Sequence, residues 1–226
     1  MIAAHLSDRA AVPDALRRPA AWVAAIAATA VTAVGLRFEG LTAPTRTDQH
    51  LDRLIAISVP DVYRGFRLVE VLGDPRTVIV MSVLLALVAV ATGRRRLAVL
   101  ALVGPGVTGI ATTGLKSVFD RTLSGELAYP SGHTGGITAV ALVAALLLVS
   151  LLRADVVTGT LMVVIIAVGA GGLMAVALSV LGIHYPTDTI GGFGTAVAAV
   201  LGCGLLIDRL GDMVARRRGE TRPLIS

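Results

Sequence analysis

His184 and Asp188 stand four residues apart, with Pro186 between them. On a helix that spacing puts both side chains on one face, one turn apart, and proline is tolerated in a first turn. A carboxylate that holds one imidazole nitrogen leaves the other free to act as base or nucleophile. The plainer reading of the pair is a surface histidine beside a helix cap. A second histidine, His133, closes the run Pro130-Ser131-Gly132-His133, directly ahead of a long apolar block. There the Ser131 hydroxyl and the amides of Gly132 and His133 would sit at a helix N-terminus, whose free N–H groups and dipole favour a phosphate. The ordinary alternative is a turn that merely caps the helix. Lys116 is the only lysine among the twenty Lys and Arg residues, and Arg121 follows five positions later. Together they offer two fixed positive charges suited to an anionic group. Alone, Lys116 also fits a lysine that snorkels from the end of a membrane span.

The elements that must carry these residues are apolar and long. The 226-residue chain is 55% hydrophobic and 15% charged, with mean hydropathy +0.82. Soluble domains usually carry about 25% charged residues. The apolar residues gather into six blocks, near 19–36, 77–92, 97–115, 134–152, 156–183 and 189–207. Stretches of about 18 residues suffice to cross a hydrocarbon core of ~30 Å as helices. The sequence therefore predicts an all-α polytopic membrane protein with six transmembrane helices. Short amphipathic helices are expected at 51–55 and 66–69, lying at the interface between spans one and two. A polar N-terminal segment (1–18), the six-span body (19–210) and a basic tail (211–226) complete the expected organisation. The first apolar block is read as a retained helix rather than a cleaved signal.

Charge placement suggests an orientation. With the N-terminus inside, the cytoplasmic segments hold Arg9, Arg17, Arg18, Arg94-Arg95-Arg96, Arg153, Arg209, Arg216-Arg217-Arg218 and Arg222. Lys116–His133 and His184–Asp188 then fall together at the outer face of a plasma membrane. The net charge of +5 and pI near 10.3 come from these short segments, and no basic face with interleaved aromatics points to nucleic acid. Cys203, the single cysteine, lies within the last block and reads as an inert buried thiol. No ionisable residue stands mid-span, which argues against a transporter.

In order, Lys116 and Arg121, then Pro130-Ser131-Gly132-His133, then Gly182-Ile183-His184-Tyr185-Pro186-Thr187-Asp188 with Gly191-Gly192, resemble the three-part signature of the PAP2 (type-2 phosphatidic acid phosphatase) superfamily. Val71-Leu72-Gly73 resembles that family's lead into span two, so the likeness runs over about residues 48–207. The resemblance implies a lipid phosphatase working through a phosphohistidine. His184 would attack phosphorus, Asp188 would orient it, and His133 would protonate the leaving oxygen and then activate water. Lys116, Arg121, Ser131 and the Gly132 amide would hold the phosphoryl oxygens, with no metal and no cofactor. The substrates implied are polyprenyl phosphates or pyrophosphates, phosphatidic acid or phosphatidylglycerol phosphate. The Ala- and Arg-rich, Lys-poor composition resembles that of a high-GC bacterium, which would make cell-envelope carrier lipids the expected substrates.

Two positions depart from the pattern. Leu123-Ser124 stand where the first motif usually has Arg-Pro, and Ala177-Leu178 where the third usually opens with Ser-Arg. Arg64, Arg67 and Arg76 are the candidates to replace the second missing arginine. The same motifs also fit a phosphotransferase, or a lipid-phosphate-binding protein of weakened activity.

Overall fold

The chain alternates long apolar helices with short polar connections, and its helix ends carry the residues that stop them. The computed structural model describes residues 10–58 and 63–220; Arg9, Asp61 and Arg222 lie outside the described residues. The helices are α1 (Arg17–Arg37), α2 (Arg46–Ser58), α3 (Tyr63–Leu72), α4 (Pro75–Ala91), α5 (Arg95–Phe119), α6 (Gly132–Leu152), α7 (Val156–Val180) and α8 (Pro186–Glu220). Asp74 caps α4, with Pro75 at its first position, and Asp155 caps α7 by accepting from the amides of Val157 and Thr158. Asp120 and Arg153 end α5 and α6 in left-handed conformations, at φ 46° and 53°.

Five helices are long and apolar enough to cross a membrane: Asp14–Arg37, α5, α6, α7 and α8 through Arg217. The pair α3–α4, bent by 56°, is long and apolar enough only when both helices are taken together, and makes a sixth span if it crosses as one. The bend falls where Gly73 leaves room: a Cβ there would lie 2.9 Å from the His133 Cβ. Trp22, Ile79, Ile110 and Ile165 all face outward, Ile110 with 75% of its surface exposed. So broad an apolar surface is costly in water and ordinary in lipid, where backbone groups are satisfied within each helix. The molecule is an all-α polytopic membrane protein, and α6 is its centre, with α4, α5, α7 and α8 packed around it.

Two features were not expected. Thr122–Leu123 and Glu126–Leu127 (β1 and β2) pair as a small antiparallel hairpin after α5. Ser124 and Gly125 turn it at φ 53° and 87°, the paired positive φ that two-residue hairpin loops require. The basic stretch after residue 210 is also no separate tail over its first turns, because α8 continues to Glu220. Arg96 binds Asp212 at 2.7 Å and reaches Asp208 at 3.4 Å, while Arg17 binds Asp212 at 2.8 Å. Those contacts hold the far end of α8 against α1 and α5. Asp208 further accepts the amides of Ala11 and Val12.

Candidate active site

Three connections bring the chemistry to one end of the bundle: 120–131, 181–185, and the α2–α3 segment. Ser131 is the N-cap of α6, its hydroxyl accepting from the Thr134 amide at 3.3 Å. Gly132 and His133 are therefore the first two helical residues, whose amides have no carbonyl one turn back. Tyr129 anchors the preceding loop by donating from its hydroxyl to the Val31 carbonyl at 2.7 Å, among Phe38 and Phe119. Burial pushes that phenol well above its ordinary pKa. His184 sits in the tight turn between α7 and α8, which Gly182 opens at φ 68°.

The two imidazoles face each other, ring centroids 6.5 Å apart with planes at 60°. Two near-attack contacts of about 3–3.5 Å laid end to end span a similar length. Around the two rings lies a cavity of about 290 Å³ lined by Glu70, Lys116, Glu126, His133 and His184. A larger cleft of about 660 Å³ runs between α4 and α5, floored by Gly132 and Gly136 of α6. Its walls are Val78, Ile79, Val83, Pro105, Gly109 and Ile110. Lys116 and His133 line both spaces, whereas His184 lines only the smaller.

Lys116 is half-buried and donates to the Leu127 carbonyl at 2.8 Å. Asp188 is fully buried beneath His184. Its Oδ2 accepts the Tyr185 amide at 3.0 Å and lies 3.7 Å from His184 Nδ1, a long contact that leaves this nitrogen without a hydrogen bond. Hydrogen bonds of this kind are often long before a substrate arrives.

Arg121 is placed differently from its expected role. It is fully buried, and both terminal nitrogens are engaged. Nη1 donates to Asp188 Oδ1 at 2.6 Å and to the Thr187 hydroxyl at 2.7 Å; Nη2 donates to Asp48 Oδ2 at 2.6 Å. The Phe38 and Tyr185 rings cover its guanidinium at 4.4 and 4.6 Å, and Nε is buried without a partner. Neither Arg121 nor Ser131 lines either cavity. Ser131 serves as a cap, and Arg121 as a buried link between carboxylates. Desolvation of this kind favours pairing with acids over an open anion site.

Of the proposed replacements for the missing arginine, Arg64 and Arg76 are exposed and Arg67 binds Glu70 at 2.9 Å. None lines either of these two cavities, and Leu178 is fully buried. Among the described residues Lys116 is the one cation that lines these spaces, opposite Glu70 and Glu126. No three His, Cys, Asp or Glu side chains converge to hold a metal among the described residues.

Sequence reasoning missed Asp48, Thr187, Glu70 and Glu126. Asp48 accepts the Thr187 amide and hydroxyl at 3.1 and 2.7 Å, and the Thr45 amide and hydroxyl at 2.8 and 2.7 Å. Burial pushes its carboxyl up, but the hydrogen bonds from Thr187 and Thr45 outweigh this and hold it below the ordinary carboxylate range. Thr45-x-x-Asp48, a capping-box spacing, was the available signal.

No curated protein and no solved structure matches the chain. Residues 109–211 match the model of the PAP2 superfamily, a stretch that holds Lys116, His133, His184 and Asp188. With those motifs in order on a multi-span helical frame, the match over this stretch supports membership of the PAP2 superfamily.

Proposed function

We propose that this membrane phosphatase hydrolyses a phosphate or pyrophosphate group on a lipid, through a phosphohistidine and without a metal. The observation that carries this reading is the junction at His133 and Lys116, where the apolar cleft between α4 and α5 meets the small polar cavity. Ile79 and Ile110 line that cleft and are also exposed on the lipid-facing surface. An acyl or prenyl chain can therefore stay in the apolar phase while its head group reaches the histidines.

The same geometry supports a division of roles. The lipid oxygen lies on the cleft side, beside His133, and His184 approaches phosphorus from the other. A His184 nitrogen attacks phosphorus; the bond to the lipid oxygen breaks, and that oxygen takes its electron pair and a proton from His133. Water then attacks the phosphohistidine, gives a proton to His133, and phosphate departs as the P–N bond breaks. Lys116 and the first amides of α6 neutralise the phosphoryl oxygens. Arginines at the opposite end of the bundle, Arg17, Arg18, Arg94, Arg95, Arg96, Arg153, Arg209 and Arg216, favour placing the site on the extracytoplasmic side of the plasma membrane.

One observation favours a second reading. With Leu178 buried in place of an arginine and two glutamates opposite a single lysine, a lipid-phosphate-binding protein of slow turnover also fits. Phosphate release from lipid phosphates by the detergent-purified chain decides between them. The hydrolase reading expects release that persists in chelator and vanishes in His184→Ala. Equal release by wild type and by the His184→Ala and His133→Ala variants overturns it, and loss of activity in chelator overturns the metal-free chemistry.

A further inference from the structure

Asp48 belongs to α2, in the segment between the first two spans, and lies outside the stretch that matches the family model. It is nevertheless fully buried and joined to the site by a continuous set of hydrogen bonds. We infer that Asp48 is a positioning residue for the His184–Asp188 pair, acting through Arg121 and Thr187; this rests on the hydrolase reading above.

Geometry supplies the first argument. The Asp188 carboxylate is fixed by Arg121 on Oδ1 and by the Tyr185 amide on Oδ2, which aims Oδ2 at His184 Nδ1. Arg121 in turn is fixed by Asp48 through Nη2. Asp48 also takes the amide and hydroxyl of Thr187, the residue before Asp188, and so pins the first turn of α8. Without Asp48, Arg121 loses its Nη2 partner and the first turn of α8 loses its tie to α2.

Charge supplies the second. Two carboxylates flank one guanidinium, so the buried trio carries one net negative charge. That charge faces a ring that becomes positive as its nitrogen bonds to phosphorus. With Asp48 neutral, Arg121 would spend its whole charge on Asp188, and the developing imidazolium would lose its counter-charge. The effect belongs to the transition state, so it enters kcat rather than substrate affinity.

The test uses the full chain in detergent with a lipid phosphate, measuring kcat, KM and melting temperature. Asp48→Asn is expected to lower kcat about 10- to 100-fold, the usual loss when an orienting partner is removed, with KM within about twofold. The Asp48→Asn/Asp188→Asn double variant is expected to be no slower than Asp188→Asn alone, because both act on one group. A folded Asp48→Asn with wild-type kcat, or losses that multiply in the double variant, overturns the inference. Should Asp48→Asn fail to fold, Thr187→Val and Thr187→Ser carry the same test. The hydroxyl that joins Asp48 to Arg121 is lost in the first and kept in the second, so serine must restore most of kcat; equal kcat in the two overturns the inference. A wild-type chain that releases no phosphate overturns the hydrolase reading itself, whereas an active wild type with an unchanged Asp48→Asn overturns only the role of Asp48.

Discussion

The backbone N–H of Ser131 donates to the Asp188 carbonyl at 2.9 Å, so the second and third motifs are joined by a main-chain bond. Gly192, one turn beyond Asp188 on α8, makes that approach possible, because a Cβ there would collide with the Ser131 carbonyl oxygen. Gly191 likewise lies against the Tyr129 ring, with no space for a side chain. The glycines that follow Asp188 are thus contact residues for the loop that carries His133.

Gly192→Ala is expected to destabilise the protein by about 1–3 kcal/mol, as overpacking against backbone does, and to reduce phosphate release by separating the histidines. Gly202→Ala, on the same helix with nothing within 4 Å, is the control. It is expected to leave both unchanged or to raise the melting temperature slightly. Equal melting temperatures for the two variants would contradict the packing argument.

The proposed division of labour between the histidines is testable through the leaving group. The aryloxide of an aryl phosphate departs as a stable anion and needs little protonation; the alkoxide of a lipid alcohol needs it fully. His133→Ala should therefore lose about 10²–10⁴-fold in kcat/KM, which reports the phosphorylation step, on a lipid phosphate, the worth of a general acid, but much less on 4-nitrophenyl phosphate, where the shared water step limits turnover instead. His184→Ala should abolish both. Equal losses of kcat/KM for His133→Ala on the two substrates would assign His133 another task.

Arg121 and Lys116 looked alike in the sequence, and their variants should not. Arg121→Gln leaves Asp48 and Asp188 buried without their cation, a change that costs about 3–5 kcal/mol when a buried pair is broken. Its main symptom should be poor yield and a lowered melting temperature. Lys116→Gln should keep the melting temperature while kcat/KM falls, since its ammonium lines both cavities. A stable Arg121→Gln with a raised KM alone would restore Arg121 as a phosphate ligand.

That contrast marks where sequence reasoning stops. The spans were legible because lipid demands long uninterrupted apolar runs, and the histidines because few residue types attack phosphorus. The partners of Arg121 were not legible because a charge does not announce them. Asp48 and Asp188 lie 73 and 67 positions away, and only the fold shows that they consume it. Ser131 could have capped a helix or held a phosphate, and the Thr134 amide and hydroxyl on its oxygen show the cap. The hairpin at 122–127 escaped notice because two-residue strands carry no periodicity. The reach of α8 escaped because charged residues in its last turns read as a solvated tail until Arg17 and Arg96 are seen beside Asp212.

The cleft between α4 and α5 gives the last prediction. Gly106 and Gly109 of α5 line it, and a Cβ at either meets nothing within 4 Å. Gly109→Leu should therefore fold as well as the native chain, while its side chain occupies the space assigned to the lipid tail. For a long-chain lipid phosphate, KM is expected to rise about tenfold or more, matching the loss of a few buried methylenes at about 0.8 kcal/mol each. For a water-soluble short-chain phosphate, which needs only the polar cavity, both kcat and KM should stay near the native values. The size of the effect should grow with chain length until the cleft is filled. An equal rise in KM for both substrates would mean that the substitution disturbs Lys116 or His133 directly, and no dependence on chain length would remove the cleft from the binding path.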